Sequence, residues 1–127
     1  MRVCLDSWAV LRWLEGREPA AGRVDAVMDQ PPVVSWINLG EVFYVIATAV
    51  EVEAARSTVA ALRPRLALEA PSEVRVMEAA ALKAAHPLAH ADAFAIATAA
   101  AHRAVLWTGD PEILDASAGW EVEDLRG

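Results

Sequence analysis

Along the chain, short apolar runs alternate with longer stretches in which apolar residues return every three or four positions. Arg2 to Leu5 reads as a first strand, and Val10, Trp13 and Leu14 follow at helical spacing until Gly16 stops the helix. Pro19 opens a second helix with Val24, Val27 and Met28 on one face, ending near Pro31. Pro32 to Trp36 is a second strand, and Val42, Val45, Ile46 and Ala49 mark the helix after it. Ala55, Val59 and Leu62 continue the helical pattern, with a break near Glu51 left open. Arg65 to Leu68 reads as a short strand, Ser72 to Ala85 as a helix closed by Pro87, and His90 to His102 as another helix. Ala104 to Trp107 and Trp120 to Val122 supply the last two strands.

Strands separated by helices need crossover connections. The pattern therefore predicts an α/β fold: a mostly parallel central sheet flanked by helices on both faces, in a single domain over residues 1–127. The alanines between Ala91 and Ala101 point to close helix packing. Composition agrees, because 56% hydrophobic against 23% charged residues supports a core and not a disordered chain. No run approaches the roughly 18 apolar residues of a membrane span. An acid at position 6 comes too early for a signal peptide, so a cytoplasmic protein is expected. The single Cys4 lies in an apolar run and reads as a core residue, without a disulfide partner in the chain.

In a sheet of this kind ligands bind beyond the carboxyl ends of the strands. Asp6 follows the first strand, Glu41 falls in the first turn of the helix after the second, and Asp110 comes just after Thr108-Gly109. Asp92 begins the helix that feeds that strand. Converging carboxylates repel one another and become favourable when hard cations share them, so the oxygen set suits magnesium or manganese. Zinc is excluded by the absence of a matching His or Cys set; Pro87 spoils a helical pairing of His86 with His90. Helix capping is the competing account: Asp6 or Ser7 would cap the first helix, Asp110 before Pro111 another, and Asn38 with Glu41 would form a capping pair. Asp92 in a first turn suits the helix dipole. Capping alone does not require four acids at matching ends, since Ser or Asn caps as well. Glu51, Glu53, Glu69, Glu73 and Glu78 read as solvated side chains, and His86, His90 and His102 as surface or partly buried ones.

The formal net charge of −7 opposes binding to a polyanion. Bound divalent cations would reverse the local sign, and clustering of the ten arginines would do the rest.

Asp6-Ser7 after a terminal strand, Asn38-x-x-Glu41 opening a helix, His90-Ala-Asp92-Ala-Phe-Ala-Ile-Ala-Thr98 and Thr108-Gly-Asp110-Pro stand in the order of the PIN-domain nucleases. Over essentially the whole chain the sequence resembles that family, and within it the VapC-type toxins of bacterial toxin-antitoxin pairs. The resemblance implies a PIN-like fold and an endoribonuclease that cleaves RNA by a metal-activated water, with one or two magnesium or manganese ions. By carry-over Asp6, Glu41, Asp92 and Asp110 match the metal-binding acids, and Ser7 and Thr108 the accessory hydroxyls. Asp115 is a low-ranked extra acid. A homodimer and a small VapB-like antitoxin are the implied partners, with no membrane involved. The first helix is consistent with a partner, as Ala9, Val10, Leu11, Trp13 and Leu14 spread apolar surface beyond one stripe. Trp8, beside Ser7, and Trp107, before Thr108, depart from the family pattern and bear on the shape of the groove. A phosphoacceptor receiver domain fits poorly, because Lys83, the only lysine, sits in a helix and not at a strand end. An inactive PIN-like scaffold is the alternative function.

Overall fold

The computed structural model describes residues 1–116 and 119–127. The strands are β1 (Val3–Leu5), β2 (Val33–Ser35), β3 (Ala67–Glu69), β4 (Val105–Thr108) and β5 (Val122–Asp124). They form one sheet in the order β3-β2-β1-β4-β5, and every pairing is parallel. Between them lie α1 (Ser7–Leu14), α2 (Ala20–Asp25), α3 (Trp36–Ala49), α4 (Val52–Leu62), α5 (Glu73–Ala85), α6 (His90–Ala101) and α7 (Pro111–Asp115). Among the described residues no helix is long and apolar enough to cross a membrane.

The central strands β1, β2 and β4 are buried on both faces, which is why they read as continuous apolar runs, whereas the edge strands β3 and β5 are partly exposed. Val3, Leu5, Val34 and Trp107 face one core with Val10, Val24, Leu39, Val42 and Leu62 from α1 to α4. Their alternates Cys4, Val33 and Leu106 face a second core with Ala95, Ile96 and Ala99 of α6. Residues Asp92 to Thr98 of α6 are all buried, because α5 covers its other side through Ala79 against Ala93, Phe94 and Ala97. The alanines let α6 approach both neighbours closely.

Boundaries moved where local hydrogen bonds outweigh apolar pattern. Ser35 ends β2 and caps α3, accepting from the Ile37 amide at 3.1 Å, so Trp36 is the first helical residue and not the last of the strand. The unresolved break near Glu51 is real, with Val50 and Glu51 outside both α3 and α4. The Arg63-Pro64-Arg65 segment forms a 3-10 turn that delays β3 to Ala67. α2 ends early, at Asp25, and the chain tightens into turns in which Val27 bonds to Val24 and Met28 to Asp25. β5 starts at Val122, not Trp120, in register with Leu106. α7 had no counterpart in the apolar pattern, being only five residues long. At Gly16 the reading was sound: φ is +66°, and the Gly16 and Arg17 amides return to Trp13 and Arg12, closing α1 in a Schellman turn.

Candidate active site

β1 and β4 are adjacent, and between them the strand order reverses: the chain builds outward from β1 through β2 to β3, then returns to the other side of β1 with β4. Side chains following these two strands meet in the crevice that such a reversal opens. Asp6, 1% exposed, caps α1, its Oδ1 accepting from the Ala9 amide at 2.8 Å. Its Oδ2 accepts from the hydroxyl of Thr108, the last residue of β4. That hydroxyl oxygen accepts in turn from the Asp110 amide at 3.0 Å. Asp110 caps α7, its Oδ1 accepting from the Glu112 amide at 2.9 Å. On the other side the Ser7 hydroxyl donates to Glu41 Oε1, which ties α3 to the start of α1. Capping and site formation are thus one arrangement, because the cap bonds aim the carboxylates.

Asp92 enters from α6, in its first turn. The Asn38 amide nitrogen donates to the Ala91 carbonyl at 3.1 Å and holds that turn against α3. One carboxylate oxygen from each of Asp92, Asp110 and Glu112 lies within 4.8 Å of the others, a spacing suited to a shared cation. Burial, opposed by the Thr108 and Ala9 bonds and reinforced by the charges of Asp110 and Glu41, pushes the Asp6 carboxyl up to about 7. Burial, hydrogen bonding with Glu112 and the charges of Asp110, Glu112 and Asp6 push Asp92 up to about 8.

Of the four acids expected at the site, Asp92 and Asp110 share one close carboxylate group, Asp6 is joined to Asp110 through Thr108, and Glu41 is held by Ser7 outside that group. Glu41 lies in the second turn of α3, because the helix begins at Trp36, and Asn38 bonds to α6 in place of a capping pair. The tightest oxygen group includes Glu112, which the sequence reading omitted. A signal for it existed: Pro111 fixes the start of α7 and so puts Glu112 in the first turn beside Asp110. Asp115 lies at the far end of α7 and outside this group. Trp107 belongs to the core and not to the groove, with Arg23 5.5 Å above its ring. Trp8 does border the site, as a Cβ on Gly109 would come within 2.3 Å of its ring. Cys4 is fully buried, and burial pushes its thiol up, away from any nucleophilic role.

Glu69 was misread as a solvated acid. At the end of β3 it accepts from Arg75 Nε at 2.8 Å and Nη2 at 3.0 Å, and it meets His102 Nε2 at 2.7 Å. These bonds, led by Arg75, hold its carboxyl below the usual range and lock β3 to α5 and α6. His86 packs edge-on against Trp120 and His90 against Phe94, so the histidines are structural.

The acid group fits a hard divalent cation. Asp92 Oδ2 is buried without a hydrogen-bond partner. Among the described residues no Arg, Lys or His forms an ion pair with Asp6, Glu41, Asp92, Asp110 or Glu112. Asp6 and Asp92 are buried, Asp110 partly so and Glu112 exposed; buried carboxylates without a protein cation are costly, and an oxygen donor set suits a hard divalent cation.

Among solved structures the fold is similar to VapBC2 from Rickettsia felis bound to a DNA fragment from its promoter, at 16% identity and a TM-score of 0.77 over 98% of both chains. VapBC-1 from nontypeable Haemophilus influenzae is similar at 19% identity and 0.75 over the whole of both chains. VapC20 from Mycobacterium tuberculosis, a toxin that cleaves the sarcin-ricin loop, is similar at 18% identity and 0.75, over 93% of this chain and 95% of that one. No curated protein matches the sequence. The family model for the PIN domain matches residues 3–118, the span from β1 to just beyond α7 that contains every acid of the site, and the chain belongs to the PIN-domain family.

Proposed function

We propose that this chain is a metal-dependent endoribonuclease and the toxin of a toxin-antitoxin pair, a single nuclease domain over residues 1–127 acting in the cytoplasm. One observation carries the reading: carboxylate oxygens of Asp92, Asp110 and Glu112 lie within 4.8 Å of one another, one buried Asp92 oxygen has no hydrogen-bond partner, and among the described residues no Arg, Lys or His pairs with these acids. Asp92, Asp110 and Glu112 would hold magnesium or manganese, with Asp6 and Glu41 completing the oxygen set for one or two ions. A bound divalent cation would lower the pKa of water and neutralise charge on the phosphodiester. The chain's own part is orientation. Thr108 fixes Asp6 and Asp110 relative to each other, and Ser7 fixes Glu41. No side-chain nucleophile is required, and Cys4, the one thiol, is sealed in the core.

Similarity to VapBC complexes supports a small VapB-like antitoxin as partner. The broad apolar surface expected of α1 is largely taken up by the fold itself, where Trp8, Leu11 and Trp13 pack against the core. Leu14 remains 39% exposed, beside a groove of about 510 Å³ that Trp13, Ala61 and Leu62 also line. Val74 and Met77, 65% and 64% exposed on α5, supply apolar surface for a homodimer. Cleavage of single-stranded RNA by the purified chain with manganese, abolished by EDTA, tests the reading. Intact RNA under both conditions would favour the inactive PIN-like scaffold instead.

A further inference from the structure

Trp8, Arg12, Arg17, Glu18, Leu125 and Arg126 line a hollow of about 250 Å³. Two of these residues border the acid site directly. Trp8 follows Asp6 and Ser7 in sequence, and its ring lies so close to Gly109 that a Cβ there would collide with it. Leu125 donates its amide to the Thr108 carbonyl at 2.8 Å. The hollow therefore lies beside the segments that carry Asp6 and Asp110, and it differs from them in charge.

Three of the ten arginines edge it in a chain of net charge −7. Arg12 stacks over the Trp8 ring at 4.8 Å and pairs with Glu15 at 3.3 Å; Arg126 pairs with Asp124 at 3.0 Å. Both pairs are solvent-accessible; the single contact of Arg12 with Glu15 contributes little, so a phosphate displaces that carboxylate at low cost, while Arg126 is held by both Asp124 oxygens at the rim and keeps its outer face free for a phosphate. Arg17 is exposed and has no ion-pair partner among the described residues. Glu18 turns a carboxylate oxygen to the Gly22 amide at 2.9 Å. An aromatic ring with cations at its margin is how sequence-tolerant single-strand sites hold a base and its backbone. The volume falls below the roughly 300 to 1,000 Å³ of pockets for drug-sized ligands, which suits one nucleotide unit and not a longer segment.

We propose that this hollow is the subsite for the nucleotide adjoining the scissile phosphate of a single-stranded RNA, with Trp8 stacking on the base and Arg12, Arg17 and Arg126 contacting phosphates. The proposal rests on the ribonuclease reading above. It also gives the acidic protein a local attraction for RNA beside the very group that would repel it.

The test is steady-state cleavage of a labelled single-stranded RNA of about 12 nucleotides in manganese. Arg17→Glu and Arg12→Ala are expected to raise KM about tenfold while kcat changes less than about twofold, with Trp8→Ala raising KM by a similar factor. Trp8→Phe keeps a ring against Gly109 and is expected to retain most of the affinity. Arg56→Glu, the same charge change on the exposed face of α4, is the control. The salt dependence of kcat/KM should flatten by about 0.7 in log-log slope for each arginine lost, which a purely structural role would not produce. Unchanged KM and salt slope in Arg17→Glu and Arg12→Ala, with the wild type cleaving normally, would overturn the subsite alone. Absence of cleavage by the wild type would overturn the ribonuclease reading and the subsite with it.

Discussion

Thr108 and Asp6 stand 102 positions apart in the chain, and the threonine hydroxyl donates to the aspartate carboxylate while accepting from the Asp110 amide. One side chain at the end of β4 thus sets the relative position of two acids. Thr108→Val keeps the shape and removes both bonds. It is expected to weaken manganese binding about 10-fold to 100-fold, as loss of a group that orients metal ligands does. Because the Thr108 bond lowers the Asp6 pKa, its loss should raise that pKa further. Isothermal titration with manganese checks the first point, and wild-type affinity in Thr108→Val would remove the bridge from the account.

Asp92→Asn is the sharpest test of the acid group. The substitution is nearly isosteric, and in the metal-free fold Asp92 keeps its proton up to about 8, so the neutral amide should leave the circular dichroism spectrum unchanged. Cleavage should fall by more than about 100-fold. Full cleavage by the purified variant would rule out Asp92 as a participant. Glu112→Gln should lower manganese affinity too, which would separate the fifth acid from a merely helix-capping neighbour.

The pH dependence of stability follows from the raised carboxyls. Asp6 and Asp92 keep their protons in the fold up to about 7 and about 8, whereas in the unfolded chain they lose them near 3.8. Between these limits the native state binds more protons, so metal-free stability should fall as pH rises from 5 to 8. Glu69 and Asp124 shift the other way, but their contribution is lost only as pH falls through the acid range below about 4. Manganese should offset the loss at pH 8, raising Tm by about 3 to 6 °C for each kcal/mol of binding. Thermal melts in EDTA and in manganese at pH 5 and 8 measure this; a metal-free Tm that climbs over that range contradicts it.

Gly109→Ala should destabilise the fold by about 1 to 3 kcal/mol, because its Cβ would lie 2.3 Å from the Trp8 ring. Trp8→Ala vacates that space, so Gly109→Ala made in the Trp8→Ala background should cost less than it does alone. Urea titrations of the four proteins give the coupling. Additive effects would mean that the two residues do not share the space.

In bacteria, expression of the chain alone is expected to arrest growth, and co-expression of a small protein encoded beside it to relieve the arrest. Asp110→Asn should abolish arrest yet still bind that protein, if the interface is mainly apolar surface around Leu14 and not the carboxylates. Growth curves with affinity capture decide the matter. Arrest as strong with Asp110→Asn as with wild type would show that toxicity is not nuclease activity, and the binding-module function would replace it.

The strands and the longer helices were legible in the sequence, because an apolar run with both faces buried and an apolar return every three or four residues are local signals. The parallel sheet followed from the crossovers, and the likeness to the PIN family from the order of its acidic motifs. Local pattern could not decide where hydrogen bonds compete at element ends: Ser35 capping α3 displaced Glu41 by a turn, and Pro64 delayed β3. It was also blind to pairs made only by the return of distant chain. Thr108 on Asp6, Ser7 on Glu41, Asn38 on Ala91 and Arg75 on Glu69 depend on which strands lie side by side and on the angles at which helices leave them. Glu69 leaves the class of solvated acids for that reason, while Glu112 beside Asp110 was signalled locally by Pro111 and only its approach to Asp92 is tertiary. A carboxylate's role depends on what surrounds it, and its surroundings are set by residues far away in the chain.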